Sequence, residues 1–412
     1  MSEPQITRRT AWIAVGCVTL TMMISYVDRT TVAVLGPKVS DALDISDTAF
    51  GWLIAAFSMA YIVGTPIGGW LIDKVGARRG LVVSLALWST VSALHAIAPT
   101  FAILFGLRFL LGLAEGPAFP GSAQTVQRML DKGEQSRGFG VLFTGSSLGA
   151  ILAPIVATAL YNVSGESWRV AFLGTPLFGL LWIPLWIRAT RSPAARAALD
   201  APAGAGDTHP PVAAFLRDPV VVRALIGIFA AAPLMGFVQN WGAKYLNLTF
   251  GVDQGAVGKY LWLPGLAFDV GAVVFGDLAA RRPGSIRVLY AVSTAFAATI
   301  TLLPFAHTPW VSIYIASSCL VGAAGLYTLA TADMLSRMPG GIVSFAGGVI
   351  ACAQSLAFII VSPIIGATVD ATNSYDTAAA ALGAWVIPGS LAWILWRAES
   401  GLRTPASPSA PS

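Results

Sequence analysis

The chain has 412 residues, of which 56% are hydrophobic and only 11% charged, and a formal net charge of +5. Soluble domains carry roughly 25% charged residues, and a soluble chain this apolar would expose large hydrophobic patches to water. These numbers exclude a soluble globular protein and point to a lipid bilayer as the partner. The basic excess is no nucleic-acid signature, because the placement of its residues follows the membrane topology.

A transmembrane helix needs roughly 20 mainly apolar residues, and a barrel strand about 10 of alternating polarity. Here the apolar runs are long and uninterrupted, as at 11–24, 81–98 and 345–361. In hydrocarbon the backbone must satisfy its own hydrogen bonds, which favours helices. In chain order, spans are expected at 11–36, 47–71, 80–98, 101–123, 138–160, 168–188, 219–243, 255–279, 286–306, 309–333, 342–367 and 376–397. The first run lacks a clean small-residue cleavage site and leads into Asp28-Arg29, so it reads as a span and not a signal peptide. Segment 189–217 is rich in Ala, Pro and Gly and reads as a flexible cytoplasmic linker. It divides a six-helix bundle at 1–188 from another at 218–400, with a disordered tail at 401–412. The expected fold is all-α and integral to the membrane: 12 transmembrane helices in two pseudo-symmetric six-helix bundles.

Of the 25 Lys and Arg residues, 19 fall at the termini, in the linker or in alternate loops, among them Arg8, Arg9, Lys74, Arg79, Arg128, Lys132, Arg137, Arg281, Arg282 and Arg287. The opposite loops hold Lys38, Arg169, Lys244 and Lys259. By the positive-inside rule both termini are cytoplasmic in a multi-pass protein of the cell (inner) membrane. The loops after spans 2 and 8 repeat faintly. Both place an Asp at a helix end before a basic pair: Asp73 before Arg78-Arg79 in the run from Gly69, and Asp277 before Arg281-Arg282 in the run from Gly276. Repeated six-helix halves with a site between them near the midplane are an architecture of transporters.

Cys17, Cys319 and Cys352 lie inside apolar runs, and His95, His209 and His307 are scattered. No metal or cofactor site is expected. No HExxH motif is present, and the chain does not read as an enzyme.

Charged residues inside the spans carry the functional signal. Asp28-Arg29 lie about 16 residues into span 1, or roughly 24 Å of helix rise. Arg108 and Glu115 lie in span 4, seven apart and so on one face. An ionised group in hydrocarbon costs at least roughly 2.5–3.5 kcal/mol, so such groups usually mark a pathway. Two arginines attract an anion, and a guanidinium grips a carboxylate with two hydrogen bonds. Carboxylates beside them change charge with hydration and pairing, so a proton at Asp28 or Glu115 would free an arginine for substrate. The same four charges also read as mutually neutralising helix glue. Near Asp73, Gly69 permits close helix approach and Asp73 can bond a helix N-terminus or a basic residue, a gate that Arg78 and Asp277 would share.

The loop around Asp73 resembles the signature loop of the major facilitator superfamily. Tyr26-Val-Asp28-Arg29, Tyr61, the run from Arg108 through Gly112, Glu115 and Pro117 to Pro120, and Gly145-Ser-Ser-Leu-Gly149 with Pro154 are similar to the anion:cation symporter family. That family includes galactonate and hexuronate symporters and sialin. The resemblance implies proton coupling at Asp28 and Glu115 and substrate contact by Tyr26, Arg29, Tyr61 and Arg108. Ser146 falls where sugar-acid members carry an amide. Gln354-Ser355 stand where members commonly carry asparagines, and Lys244 departs from the pattern. Tyr61 shares a face with Ser58 and Thr65, which reads as a cavity lining. Gln239, Asn240 and Gln354 are amides that could donate to substrate hydroxyls or bond neighbouring helices. Asp269 reads as a further proton site or the partner of a basic residue, and Asp333 and Arg337 as an i,i+4 pair.

The function expected is proton-coupled symport of a small organic anion, a sugar acid such as an aldonate or hexuronate, by a monomer. The alternatives are an efflux antiporter of amphipathic compounds and a membrane ligand sensor.

Overall fold

A computed structural model describes residues 6–202, 212–338 and 343–399. The expected tail at 401–412 and the middle of the linker lie outside these residues. Among the described residues, twelve helices are long and apolar enough to cross a membrane. They are α1 Arg8–Val34, α2 Asp47–Val75, α3 Ala77–Ile97, α4 Phe101–Met129, α5 Lys132–Val163, α6 Trp168–Ala189, α7 Pro219–Phe250, α8 Gly258–Arg281, α9 Ile286–Phe305, α10 Pro309–Leu335, α11 Ala346–Thr372 and α12 Asp376–Leu395. They form two six-helix bundles, α1–α6 and α7–α12, and the chain is a multi-pass membrane protein. An even number of crossings puts both ends of the chain on one face, called here the terminal face; the other is the far face.

Local chemistry sets several helix ends. Thr100 and Thr308 are N-caps whose side chains accept from the backbone N–H groups of Ile103 and Val311. Helix α4 breaks after Glu115, at Gly116-Pro117, where proline can neither donate to the ladder nor tolerate a helical predecessor easily. The break ends one helical segment on Glu115 and starts the next at Ala118.

Small residues let backbones touch. A Cβ on Gly64 would come within 2.9 Å of Leu113 Cα, and one on Gly68 within 2.8 Å of Pro117 Cα. Gly145 and Gly149 of α5 similarly face Thr19, Met23 and Tyr26 of α1, so these two glycines let α5 pack closely on α1. Gly69 is different. Its nearest neighbour, Pro120, is an ordinary 3.7 Å away, so the close approach expected there is made one residue earlier, by Gly68.

The linker is more ordered than its composition suggests. Pro193–Asp200 forms a helix with Ala195 and Leu199 buried against the first bundle. Asp200 pairs with Arg78 at 3.5 Å and Arg79 at 3.7 Å, and Arg128 donates to the carbonyls of Ala198 and Ala201.

The bundles meet at the far face. Lys244 of α7 pairs with Asp47 at 2.8 Å and donates to Ser40 at 2.7 Å. Asp370 of α11 accepts from the backbone N–H groups of Asp47 and Thr48, both at 2.8 Å, so it caps the N-terminus of α2 from the other bundle. Gly51 of α2 lies so near Pro363 of α11 that a Cβ would be 2.8 Å from its Cα. Among the described residues, every hydrogen bond and ion pair between the bundles lies at the far face or mid-depth. Toward the terminal face they part. Gly140 on α5 and Gly347 and Gly348 on α11 continue the inward strips of their helices, yet a Cβ on any of them meets nothing within 4 Å.

Candidate functional site

Where the bundles part, at mid-depth, they enclose a cavity of about 170 Å³. Its walls include Tyr26 and Arg29 of α1, Phe57, Ser58 and Tyr61 of α2, and Arg108 of α4 from the first bundle. The second bundle contributes Gln239 and Asn240 of α7 and Gln354 and Ser355 of α11. Ten residues named from the sequence thus converge on one space: Tyr26, Arg29, Ser58, Tyr61, Arg108, Pro154, Gln239, Asn240, Gln354 and Ser355. Thr65, read on the same face as Tyr61, does not line it, because α2 has passed below the cavity by then.

Arg29 is held from all sides. Its guanidinium lies over the rings of Tyr26 and Phe57, each at 4.7 Å, and of Tyr61 at 4.8 Å. A π-face attracts a cation most where water is excluded. Arg29 also pairs with Glu115 at 3.0 Å, and Ser25 donates to the same carboxylate oxygen at 2.7 Å. Glu115 is fully buried. A charge so deep needs partners, and losing one would strand the other. Arg108 donates to the backbone oxygen of Arg29 at 3.2 Å and stands 5.1 Å from the Phe57 ring. Arg108 and Glu115, two turns apart on α4, therefore both reach residue 29, from either side. The Nε atoms of Arg29 and Arg108 and Oε1 of Glu115 are buried without partners. Unused donors on two adjacent guanidiniums are what an anion would take up.

Sequence reasoning missed Phe57 and Ser25. Phe57 lies one turn before Tyr61 on the same face and was findable by that spacing. Ser25 is an ordinary serine whose role depends on where α4 ends.

Several expectations need correction. Asp28 does not line the cavity and has no cation partner among the described residues. It points into the first bundle, where Ser92 of α3 donates to it at 3.4 Å. Adjacent helical residues point about 100° apart, so Arg29 can face the cavity only if Asp28 faces away. The idea that a proton on Asp28 frees an arginine does not fit this geometry. Ser146 does not line the cavity either. Its neighbour Ser147 makes the polar contact of α5, donating to Asp269 of α8 at 2.8 Å across the bundle interface. Among the described residues Asp269 thus has a hydroxyl partner, not a basic one.

The loop residues stay within their own bundles. Asp73 accepts from Gln124 at 3.0 Å, and Gln124 in turn accepts from the backbone N–H of Ala77 at the start of α3. The expected link from Asp73 to a helix N-terminus is therefore made through Gln124. Arg78 also donates to Thr190 at 3.2 Å. Asp277 is half exposed and, among the described residues, pairs only with Arg281, one turn on, at 2.8 Å. Lys244, which stood out in the sequence, belongs to the far-face brace. Asp333 pairs with Arg337 as expected, at 2.7 Å, and also with the buried Arg223 of α7 at 3.1 Å.

A model of the Major Facilitator Superfamily matches residues 18–362. The chain belongs to this superfamily. It is a transporter, not an enzyme. It is 25% identical to the D-galactonate transporter of Escherichia coli, covering 94% of this chain and 95% of that protein. It is 26% identical to the hexuronate transporter of Bacillus subtilis, over 90% and 89% of the two chains. It is 25% identical to the galacturonate transporter of Dickeya chrysanthemi, over 76% of this transporter and 95% of that one. Its fold is similar to the inward-facing crystal structure of a bacterial homolog of the human lysosomal transporter Spinster, with a TM-score of 0.72 over 94% of each chain at 15% identity.

Proposed function

We propose that this transporter is a proton-coupled symporter of a small organic anion, a sugar acid such as an aldonate or hexuronate, working by alternating access. The observation that carries the reading is the pair of guanidiniums, Arg29 and Arg108, side by side on the wall of the inter-bundle cavity and facing the neutral amides of Gln239, Asn240 and Gln354. A carboxylate needs the first group and a row of hydroxyls needs the second. The relatives that transport galactonate and hexuronates support that substrate class.

The coupling lies in the Arg29–Glu115 pair. With Glu115 ionised, Arg29 is held by it. A proton on Glu115 removes the charge that holds Arg29, and the guanidinium turns to the substrate carboxylate. Substrate and proton then favour each other's binding, which is linkage in the direction symport requires. Asp28 is the second proton site, away from the cavity.

The weight of basic residues supports a cytoplasmic terminal face, and the likeness to bacterial transporters supports the cell (inner) membrane. The conformation, braced at the far face and parted at the terminal face, is then inward-facing. Rocking to the outward state would break the contacts of Lys244, Asp47 and Asp370 and bring together the loops of Asp73, Arg78 and Asp277, with Gly68 close-packed beneath the first of them. Each chain holds a whole cavity, so a monomer suffices.

The test is uptake into proteoliposomes of labelled galactonate, glucuronate, gluconate, lactate and a neutral hexose, with and without an acidic exterior. One sugar acid should accumulate under the proton gradient. Arg108→Ala should abolish its uptake, and Glu115→Gln should still exchange it but no longer concentrate it. Accumulation of the neutral hexose, or of no anion under any gradient, would refute the assignment.

A further inference from the structure

Asp269 of α8 is a charge at mid-depth that neither the ion pair nor the cavity wall uses. It is part-buried, and its one hydrogen bond among the described residues is with Ser147 of α5. Helices α5 and α8 run antiparallel along a seam between the bundles. Toward the far face the seam is tight. A Cβ on Gly258 would come within 2.6 Å of the Pro154 carbonyl oxygen, and one on Gly265 within 3.4 Å of Ile151. Past Ser147 and Asp269 the seam opens. A Cβ on Gly140 would meet nothing within 4 Å, and one on Gly276 meets only Thr328 of its own bundle. Among the described residues, the Ser147–Asp269 bond is thus the last tie on this seam before the terminal-face crevice.

The same pair borders the cavity. Ala150 and Gly265 lie on its wall. Ser147 is three residues from Ala150, and Asp269 is four from Gly265. Each therefore shares a helix face with its wall residue and stands one turn, roughly 5.4 Å, nearer the terminal face. Tyr26, whose ring lies on Arg29, carries a hydroxyl within electrostatic reach of Arg29, Glu115 and Asp269. The Asp269 carboxylate acts on the same space as the two guanidiniums, from the opposite bundle.

The tie to Ser147 does not require a charge. A neutral amide oxygen would accept the same hydrogen bond without placing an ion in the membrane, where ions mark pathways. What the charge adds is a sign. With Glu115 protonated, Arg29 and Arg108 bring two positive charges to the site and Asp269 one negative, so a substrate with a single negative charge matches it. A second carboxylate would leave the loaded site net negative and set like charges against each other. A hydroxyl in that place can instead donate to Oδ2 of Asp269, which makes no hydrogen bond among the described residues.

We propose that Asp269 is a specificity-determining residue: its carboxylate, at the terminal-face rim of the cavity, admits six-carbon sugar acids that carry one carboxylate and a hydroxyl at the other end, and turns away diacids of the same length. The proposal rests on the sugar-acid reading and adds which sugar acids are taken.

The preference can be read as binding, without transport. Isothermal titration calorimetry on the purified full-length protein in detergent would compare galactonate and glucuronate, with one carboxylate, against galactarate and glucarate, with two. The wild type should prefer the mono-acids by roughly tenfold or more. Asp269→Asn keeps an acceptor for Ser147 and removes the charge, so it should bring the two classes within about threefold of each other, with the melting temperature held. Ser147→Ala removes the tie and leaves the charge, so its preference should match the wild type. Equal binding of both classes by the wild type would overturn the filter. So would an unchanged preference in Asp269→Asn, or a preference lost as fully in Ser147→Ala, the mark of a merely structural tie. If the wild type shows the preference but accumulates no acid under a proton gradient, the symport reading fails and the filter stands. If it binds neither class, the sugar-acid reading fails and the filter with it.

Discussion

In the first bundle the polar groups at mid-depth are charged. Arg29 and Glu115 form an ion pair at the cavity, Arg108 stands beside them, and Asp28 lies behind. In the second bundle the cavity wall carries neutral groups, the amides and Ser355, while Asp269 of α8 meets Ser147 at the bundle interface, and the buried pair Arg223 and Asp333, with the part-exposed Arg337, sits near the terminal-face end. Arg223 there also stacks over Trp393 at 3.9 Å and donates to its backbone oxygen at 2.9 Å. The two clusters differ in what they leave unmet. The first keeps buried, unpartnered atoms on Arg29, Arg108 and Glu115, whereas Arg223 and Asp333 have none. Charge with spare valence is suited to a moving ligand, and charge fully met by its neighbours is suited to holding helices together.

That contrast can be broken experimentally, beginning with the largest effect. Arg29→Leu strands Glu115 and removes half of the anion grip, so transport in vesicles should fall by roughly 100-fold or more. A loss of less than threefold would mean that the charged half does not read the anion. Asp333→Ala should act on folding and not on recognition. It leaves Arg223 buried and unpaired, at a cost of about 3–5 kcal/mol, seen as a lowered melting temperature in detergent with KM unchanged for the protein that survives. A change in KM without a change in melting would reverse the assignment of the two clusters. Gln239→Leu or Gln354→Leu should each weaken apparent affinity by about tenfold, the worth of one or two hydrogen bonds, and leave the proton-to-substrate ratio alone. A changed ratio would put coupling in the neutral half as well. The smallest effect belongs to the far-face brace. Lys244→Gln should shift the inward–outward balance by about 0.5–1 kcal/mol, since the pair is mostly but not wholly buried. Distances between spin labels on the far-face ends of α2 and α11 would report it as a greater share of the long-distance population.

Much of this was legible in the residues. The twelve spans were, because length and apolar character are local properties, and the ends differ mainly where polar turns extend a helix beyond the apolar run, as at 132–137 of α5 and 244–250 of α7. The cavity residues of α1, α2, α4, α7 and α11 were legible as polar groups where lipid would not accept them. The partner of each was not. Asp28 and Glu115 look alike in the sequence, a carboxylate near an arginine in a span. Ser146 and Ser147 look alike too, and so do Gly68 and Gly69. In each pair one residue faces the neighbouring helix and the other does not.

The sequence by itself determined that this is a membrane protein of twelve helices, that two arginines lie within spans of the first half and amides within spans of the second, and that the basic loops alternate. All of these depend on composition and order along the chain. Only the tertiary structure decided which carboxylate meets Arg29, which serine meets Asp269 and which face is braced. Those depend on the rotation of each helix about its axis and on the break at Gly116-Pro117. A turn of about 100° between neighbouring residues is enough to carry a side chain from the cavity to the bundle interior.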